Sequence, residues 1–580
     1  MLSILNLTKT NKLILAAFAF LAVLAFSGGR AHAATLNISG GCTLPIAIDS
    51  VNAGANQSGC TATGASYGTS DTITIPAGTI TLSADLPAIV NKSVSIIGVG
   101  KGMTIVDADG HTGFLADPDP GPQATLDHVF RNFTITGASI AGIAALSSAN
   151  VTIDNVEVDN SAMGVYIQAT HVIVSNSTIS DNVNTTFPGM MPDSDFNSYM
   201  AGLGIALQPV DPSDIPSIDI TDSVITGNSS ESAGILAFLP YETDTDNVDS
   251  LEFHMARTTV SGNSGEKWAG VVISEYSGTI AEVGTDLTLD AVTISGNEVN
   301  VVNAEPMGNP LESQPYVSGF IFNGRIASAR NFTNVTAAYN TITNNVDDRL
   351  TGAGFTSSLP IDSAVLTFTN ATIVGNETTQ SQPSTFFQNF IVGNNPTFFV
   401  NRVDPFAPDM VNGSSAQNSL IAGNSRNGVI GSCVKGDKSV LGLSGLLDLT
   451  PSDLGNNITD DPNCSGYTVV PNVMSTLGPL QDNGGSVDTI ALLDGSPAIK
   501  AGASVLGVST DARGVARNSC PSVGAYQFEG VVCAATTTNA NAGGAAAPNT
   551  GAKSAPLLLV IMATLLGSSS LAYALASKRC

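Results

Sequence analysis

The chain has 580 residues, of which 43% are hydrophobic, only 12% are charged and 58 are glycine. Thr, Ser and Asn are abundant in the central part while Lys and Glu are scarce, a composition typical of turn-rich β-structure. The net charge of −27 works against partners such as nucleic acid or anionic membrane surfaces, because like charges repel.

Residues 1–33 predict a secretory signal peptide. Lys9 and Lys12 precede an almost wholly apolar run, Leu13–Phe26, and Ala31-His32-Ala33 is a small-residue cleavage site. An uncleaved anchor helix is the alternative, although the apolar run is short for a membrane span.

Residues 34–70 predict an N-terminal cap. Leu44, Ile48 and Val51 recur at helical spacing, and Pro45 suits the first turn of a helix. A solenoid must cover its open end, since an exposed coil presents apolar side chains and unpaired strand edges. We therefore expect a short helix over the first coil.

A short phrase recurs through residues 71–430: a β-branched or apolar pair, two small or polar residues, then Asn. The copies are Thr178–Asn182, Val224–Asn228, Thr259–Asn263, Thr293–Asn297, Thr341–Asn345, Thr372–Asn376 and Leu420–Asn424, with degenerate copies that end at Ala138 and Ser161. A recurring strand-turn unit indicates a solenoid.

Two inward ladders follow when the last residue of each phrase is set to position zero. Position −3 is mostly Ile or Val and includes Ile342, whereas position −8 is mostly apolar and includes Ala337. A Gly-apolar pair such as Gly204-Ile205 gives a third strand. The pattern predicts an all-β fold, a right-handed three-sheet parallel β-helix (a pectin-lyase-like solenoid) with N- and C-terminal caps. Stacked Asn side chains are expected to hydrogen-bond from coil to coil.

Long insertions leave one corner of the predicted solenoid after Asn182 and Asn297, and residues 377–400 predict a third. These segments carry Phe187, Phe196, Tyr199, Tyr316, Phe386 and Phe387. Insertions on one face often form the binding side of a repeat protein. The aromatic side chains either stack on sugars or pack as lids over a neighbouring sheet, and both interpretations stay open.

Six of the seven cysteines form local pairs, as expected for disulfides in an exported protein. The pairs are Cys42 with Cys60, Cys433 with Cys464, and Cys520 with Cys533, which leaves Cys580 alone. Each disulfide would stabilise the fold by about 3 kcal/mol in the entropic model.

Residues 431–530 predict a C-terminal cap that contains a distinct block of motifs. The motifs are Leu477–Leu480, Asp482–Gly485, Leu493–Ile499, Thr510–Gly514 and Gly524–Tyr526. Together they resemble the choice-of-anchor Q domain that ends many bacterial β-helix surface proteins. The resemblance implies a right-handed β-helix body and attachment at the cell surface, and it implies no known enzymatic activity. Asp511 and Arg513 are expected to brace the cap.

Residues 531–547 are mostly Ala, Thr, Asn and Gly and predict a flexible stalk. Residues 548–580 include an uncharged stretch, Pro556–Ala576, followed by Lys578-Arg579. An apolar span with basic residues after it predicts a transmembrane helix with its tail inside the cell.

A pentapeptide precedes this span: Ala547, Pro548, Asn549, Thr550 and Gly551. It resembles the Leu-Pro-x-Thr-Gly (LPxTG) sorting signal of bacterial wall-anchored proteins, with Ala547 in place of Leu. The resemblance implies a sortase-type transpeptidase that cleaves after Thr550 and joins the protein to the cell envelope. A plain membrane anchor is the alternative. A glycolipid anchor fits less well, because such tails normally lack a basic end.

Enzymes that act on polysaccharides are the main alternative, since many β-helices degrade pectin. A glycosidase needs paired carboxylates, but the register sets Asp154 level with Ser175 and Asp159 level with Ser180. The same register sets Asp181 level with Asn160 and Asp222 level with Asn176. Candidate lyase bases are scattered: Arg131, Arg257, Arg325 and Arg330. Three histidines lie beside predicted strands and are expected to be surface residues: His128, His171 and His254.

No catalytic residue, metal site or cofactor is therefore assigned. Calcium is an alternative at Asp193–Asn197 and at Asp244–Asp249, although both stretches lack the Gly and Glu of a calcium loop. Asp107–Gly110 predicts a turn. The sequence as a whole predicts a secreted, cell-surface-anchored, non-catalytic adhesin-like or structural protein. Its loops on one edge are the expected site for an extracellular glycan or a host surface. A polysaccharide lyase or glycoside hydrolase is the alternative.

Overall fold

The computed structural model describes most of the chain between residues 33 and 533. The described ranges are 33–64, 66–68, 70–116, 126–184, 200–207, 214–239, 250–275, 284–302, 316–323, 330–346, 351–357, 366–381, 414–433, 435–437, 446–448, 451–530 and residue 533. They all belong to the first of two compact units, Met1–Cys533; the second unit is Ala534–Cys580.

The strands stack in parallel into three ladders, which we call sheets 1, 2 and 3. Three long strands, Asp127–Thr136, Ala141–Asp159 and Met163–Ser175, bend at corners and contribute to more than one sheet. Backbone hydrogen bonds therefore join 31 strands into one continuous network. The chain is a parallel β-helix, and the predicted fold class is confirmed.

The bounds of the remaining strands follow, sheet by sheet. Sheet 1 contains Ala34–Asn37, Asp71–Thr74, Val94–Ile97, Ser217–Thr221, Ser250–Ala256, Gly284–Asp290, Arg330–Thr333, Leu366–Thr369, Ser415–Gln417 and Ser452–Asp453. Sheet 2 contains Gly78–Thr81, Thr104–Asp107, Thr178–Ser180, Val224–Thr226, Thr259–Ser261, Thr293–Ser295, Thr336–Ala338, Thr372–Val374, Leu420–Ala422, Ile458–Thr459 and Thr468–Val469. Sheet 3 contains Phe114–Ala116, Leu203–Leu207, Ile235–Leu239, Val271–Glu275, Phe320–Asn323 and Phe355–Ser357.

A fourth, short sheet follows the Asn corner and was not predicted. Its strands are Ser229–Ser232, Ser264–Trp268, Glu298–Val301, Tyr316–Val317, Thr341–Asn344, Thr351–Gly352, Glu377–Gln380, Ser425–Arg426 and the antiparallel Val429–Ile430. Several inward positions of this sheet are polar, for example Ser230, Thr378 and Gln380, which are buried. The apolar alternation that identifies a strand in sequence is therefore weak in this sheet.

The position-zero asparagines form a buried ladder, as expected. The Oδ1 atom of Asn263 accepts bonds from both the backbone N–H and the Nδ2 of Asn228, at 3.1 and 3.0 Å. The Nδ2 of Asn263 donates in turn to Asn297 at 2.9 Å and to the Ile225 carbonyl at 3.1 Å. Equivalent bonds run through Asn182, Asn228, Asn263, Asn297, Asn340, Asn376 and Asn424.

One copy of the phrase was assigned to the wrong strand. The ladder residue between Asn297 and Asn376 is Asn340, not Asn345, and its position −3 is Ala337 rather than Ile342. Thr341–Asn344 instead belongs to the corner sheet. The true copy has Tyr339 in the left-handed conformation, with a φ of 58°, where the other late copies carry Gly. The copy was missed because Tyr is unusual there.

The register predicted for the third strand is wrong by two residues at one coil. Leu203, not Ile205, is level with Val165 and Ile235. The aligned glycine is Gly202, where an added Cβ would overlap carbonyl oxygens of Ala233 and Gly234. Because the error is two residues, Ile205 still faces the core.

The N-terminal cap contains the predicted helix, Leu44–Ala53. Leu44, Ile48 and Val51 are buried, and the helix ends at Gly54 in the left-handed conformation. The strand Thr63–Gly64 pairs antiparallel with the first strand of sheet 1. Three disulfides join Cys42 to Cys60, Cys433 to Cys464 and Cys520 to Cys533, the same pairs that the sequence predicts.

The C-terminal region has two parts. Cys433, Cys464 and Tyr467 join the central core at the last coils. The part that follows contains the short helix Val473–Thr476 and the hairpin of Leu477–Gln481 with Thr489–Leu492. Another hairpin, earlier in the chain, pairs Lys435–Asp437 with Leu446–Asp448. Apolar residues of 473–528 pack along the outer side of sheet 2. We call this part the terminal unit.

Candidate functional site

Charged side chains on the outer side of sheet 1 and at its corner with sheet 2 pair between neighbouring coils. Arg257 binds Asp222 of the preceding coil through two hydrogen bonds of 2.7 and 2.6 Å. The hydrogen bond to Asp222 raises the pKa of Arg257. His254 Nδ1 lies 3.1 Å from Asp219 Oδ1. Each of these pairs joins two adjacent coils.

A second group of polar contacts surrounds Asp154. Arg131 Nε donates to its Oδ2 at 2.9 Å, while Ser175 Oγ and Asn176 Nδ2 donate to its Oδ1, both at 2.9 Å. Burial alone raises the pKa of Asp154, but the bonds from Asn176 and Ser175 and the charge of Arg131 together bring it below its usual value. The carboxylate stays ionised and braces three coils.

The histidines fall into two environments. His171 is partly exposed, with Nε2 at 3.2 Å from Asp214 Oδ2 and Nδ1 at 2.9 Å from Ser217 Oγ. His128 is not a surface residue as expected: it is 1% exposed and lies level with Val94 and Val151 in the core. Burial lowers the pKa of His128 to about 4, so its imidazole is neutral and serves packing.

Two carboxylates do lie side by side on this face, and the sequence register missed them. Glu252 and Asp286 are direct partners in adjacent strands, and both are exposed. Parallel strands lie about 4.8 Å apart, close to the separation of roughly 5 Å in retaining glycosidases. Each residue stands eleven positions before the ladder asparagine of its coil, Asn263 or Asn297. Extending the register beyond position −8 would have revealed the pair.

The other aligned carboxylates stand as the register predicts. Asp159 is level with Ser180, and Asp154 is level with Ser175. Of the candidate bases, Arg330 is fully buried at an inward position, with its guanidinium carbon 3.8 Å from the Phe322 ring centre. Arg325 lies outside the described residues.

The described residues include one group with the spacing of metal ligands, Cys433, Asp461 and Cys464. Its two sulfur atoms form a disulfide, and Asp461 accepts the backbone N–H groups of Cys433 and Asn463 at 2.9 Å each. The sulfur and carboxylate atoms are therefore already bonded within the protein, and the group has a structural role. Asp107–Gly110 is a turn, since Asp107 Oδ1 accepts the N–H of Asp109. Both possible calcium stretches, Asp193–Asn197 and Asp244–Asp249, lie outside the described residues.

The insertion corner contains a buried apolar cluster beside its buried polar residues. Tyr316 is 2% exposed and packs with Val299 and Ile342, so packing is the correct interpretation for this aromatic residue. The other five insertion aromatics lie outside the described residues. Sheet 3 is buried on both faces, because the outward Leu236 and Phe238 are 3% and 4% exposed.

Motifs of the terminal unit converge on one buried ion pair. Arg513 donates to Asp511 Oδ2 at 2.8 and 3.0 Å, and its guanidinium carbon lies 3.8 Å from the Tyr526 ring centre. Arg513 also donates to the carbonyl oxygens of Asn483 and Gln527. Asp511 and Arg513 thus brace this unit.

The residues of the sorting signal, Ala547, Pro548, Asn549, Thr550 and Gly551, lie outside the described residues, as does the predicted span Pro556–Ala576. Among the helices that the structure describes, none is long and apolar enough to cross a membrane. No family model matches the chain, and no curated protein matches it in sequence.

Proposed function

We propose that this protein is a secreted, non-catalytic β-helix that is anchored at the cell surface and acts as an adhesin-like or structural rod. The observation that carries the proposal is the uninterrupted hydrogen-bonded stack of coils. Sheet 1 alone contains thirteen stacked strands, from Ala34–Asn37 to Ser452–Asp453, which span roughly 60 Å at about 4.8 Å per coil.

The stack is suited to a mechanical role because every coil is tied to the next in several ways. The asparagine ladder is fully buried, and each inward Ile contributes about 2 kcal/mol through burial. On the outside, pairs such as Arg257–Asp222 and Arg131–Asp154 link adjacent coils. A rod of this kind resists bending between its two ends.

The two ends of the chain support the proposed location at the cell surface. The signal at residues 1–33 and the three disulfides support export to an oxidising compartment. The motifs of the terminal unit support membership of the choice-of-anchor Q group, and the pentapeptide at Ala547–Gly551 supports attachment by a sortase-type transpeptidase to the cell envelope. The C-terminal helix would hold the precursor in the membrane until then.

The proposed ligand, an extracellular glycan or a host surface, would bind loops on one edge of the rod. This proposal is supported by the long segments that follow Asn182, Asn297 and Asn376 in sequence, because the described residues that precede each segment follow the Asn corner. Exposed insertions on one face of a repeat protein often carry recognition. Without the signal and terminal segments, 15 Lys and Arg oppose 48 Asp and Glu, a net charge of −33, which disfavours nucleic acid as the partner.

The anchoring part of the proposal is tested on the native protein. Envelope material from cells that produce the protein is digested and analysed by mass spectrometry. We expect a peptide that ends at Thr550 and carries a covalent cell-wall fragment. Recovery of intact residues 552–580 in the mature protein would contradict sortase processing and favour a plain membrane anchor.

A second candidate function, glycoside hydrolysis, is favoured by one observation only. Glu252 and Asp286 are adjacent, exposed carboxylates on a β-helix face, which is the residue chemistry that retaining glycosidases use. One of the two would act as the nucleophile and the other as the acid and base. A glycan turnover assay on the wild type, Glu252→Gln and Asp286→Asn separates this candidate from the non-catalytic rod.

A further inference from the structure

Asp71 is a buried carboxylate with an incomplete set of partners. It is 0% exposed at the start of the second strand of sheet 1. Its Oδ1 accepts the backbone N–H of Ala34 at 2.8 Å and that of Gly68 at 3.1 Å. Its Oδ2 is also buried, and within the described part of the chain no donor binds it.

This arrangement leaves a negative charge without a counter-ion. Among the described residues, no Lys, Arg or His side chain forms an ion pair with Asp71. Buried carboxylates in folded proteins are ordinarily paired with a positive charge and fully hydrogen-bonded. The site therefore lacks one cation and at least one N–H donor.

The missing cation is available from the chain itself. The Asp71 partner Ala34 directly follows Ala31-His32-Ala33, the small-residue pattern of a signal cleavage site. Ala34 is 0% exposed and opens the first strand, which pairs in parallel with Asp71–Thr74. Hydrolysis of the Ala33–Ala34 bond would convert the amide nitrogen of Ala34 into an α-ammonium group at the place where Asp71 already accepts a hydrogen bond.

We propose that Asp71 is the counter-ion of the mature N-terminus, and that signal removal at Ala33–Ala34 completes this buried ion pair. Water adds its oxygen to the Ala33 carbonyl carbon and the C–N bond between Ala33 and Ala34 breaks. Ala33 leaves as a carboxylate, and both protons of the water end on the Ala34 nitrogen, which becomes –NH₃⁺. One N–H keeps the bond to Oδ1, and the group gains further donors, one of which satisfies Oδ2. The mature chain thus gains an interaction that the precursor does not have.

The consequence is a coupling between export and the stability of the N-terminal cap. The ion pair joins the first strand of sheet 1 to the second, Asp71–Thr74, and the disulfide-closed helix Leu44–Ala53 contacts this second strand. The proposal relies on the export part of the proposed function, because a signal peptidase performs the cleavage. It does not rely on sortase attachment or on any ligand.

The N-terminus of the exported protein is mapped first, by mass spectrometry of the N-terminal peptide. We expect it to begin at Ala34. A mature chain that begins at any other residue, or that retains the signal, would overturn the proposal, whatever the outcome for Thr550. If the exported protein began at a residue other than Ala34, the proposed function would still stand.

The ion pair is tested by a four-way comparison of folded chains that run to Cys580. Chains that begin at Ala34 or at Ala33 are released from a removable fusion partner, each with Asp71 or with Asp71→Asn. We expect the Ala34 chain to melt about 2 °C or more above the Ala33 chain, and Asp71→Asn to abolish this difference. Equal effects of Asp71→Asn in both chains would overturn the proposal.

Two further measurements keep the test independent of folding defects. Asp49→Asn, an exposed substitution in the cap helix, is the matched control and should leave the difference between the two chains unchanged. An amine-reactive reagent should modify the α-amino group of the native Ala34 chain at least tenfold more slowly than after unfolding. Equal rates would show an accessible, unpaired terminus and contradict the ion pair.

Discussion

Arg517 Nη2 donates a hydrogen bond of 2.9 Å to Asn334 Oδ1, although 183 residues separate them. Asn334 stands at the corner between sheets 1 and 2 in the left-handed conformation, and its Nδ2 donates to the Thr510 carbonyl at 3.1 Å. Arg517 also donates to the carbonyl oxygens of Ser522 and Gly524. Burial lowers the pKa of Arg517 to about 10. The pair attaches the terminal unit to the side of the rod.

Replacing Arg517 with Met should loosen this attachment while the β-helix stays folded. The substitution keeps the apolar stem but removes the donor from three part-buried oxygens, Asn334 Oδ1 and the carbonyls of Ser522 and Gly524. Each buried group that loses its partner costs about 1–3 kcal/mol. Hydrogen exchange measures the result directly. We expect faster exchange in Thr489–Leu492 and unchanged protection in Val271–Glu275.

The matched control is Arg257→Met, which removes an exposed arginine from its pair with Asp222. An exposed ion pair contributes at most about 1 kcal/mol, so protection of the terminal unit should not change. If both substitutions had the same effect on Thr489–Leu492, the Arg517 contacts would not be what holds this unit.

The asparagine ladder should be the most sensitive polar feature of the rod. Asn297→Ala removes the acceptor for two donors of Asn263 and the donor to the Val260 carbonyl, all of them buried. We expect a loss of about 3–5 kcal/mol in the free energy of unfolding, because several buried groups lose their partners together. Calorimetry of the purified protein measures the loss.

Asn331→Ala is the control for this substitution. Asn331 lies in the same part of the rod but faces outward and is exposed, so the change should stay within about 0.5 kcal/mol. Comparable losses for Asn297 and Asn331 would mean that the ladder contributes no special stability.

His128 should give the protein a characteristic dependence of stability on pH. Its pKa is about 4 in the folded protein, against an ordinary value of 6.5. The unfolded chain therefore binds a proton at higher pH than the folded chain does. The free energy of unfolding is therefore unaffected by His128 above pH 6.5. It falls as the pH drops from 6.5 towards 4, by about 3 kcal/mol in total.

The test compares the wild-type protein with His128→Gln, which keeps a hydrogen-bonding side chain but does not titrate. Unfolding free energies are measured between pH 4 and 7.5. The variant should show a flatter curve across this window. Identical slopes for wild type and His128→Gln would contradict a buried neutral imidazole.

The coils could be predicted from sequence wherever the ladder residue is Asn and the strand before it carries Ile or Val. That pattern failed at Asn340, because Ala337 is small and Tyr339 replaces the usual glycine. The neighbouring Thr341–Asn344 imitates the phrase, since a corner strand and a ladder strand use the same β-branched residues. The hydrogen bonds of Asn340 with Asn297 and Asn376, together with the pairing of Ala337 with Ile294, decide the register.

The candidate sites were harder to predict because they depend on neighbours from other coils. Glu252 and Asp286 become a pair only once the register of sheet 1 extends past the apolar core positions. Asp71 looks like an ordinary strand residue in sequence. Its contact with the Ala34 backbone N–H is visible only in the structure. The lateral position of the terminal unit rests on Arg517, for which no sequence pattern pointed to a partner.

The non-catalytic rod is tested most directly by assaying the purified exported protein on a panel of acidic and neutral glycans. Reducing ends and unsaturated uronates are measured for the wild type and for Glu252→Gln and Asp286→Asn. The account predicts no turnover above buffer for any of the three proteins, whether or not a glycan binds. Turnover by the wild type that is lost in Glu252→Gln would contradict the account and establish a glycoside hydrolase.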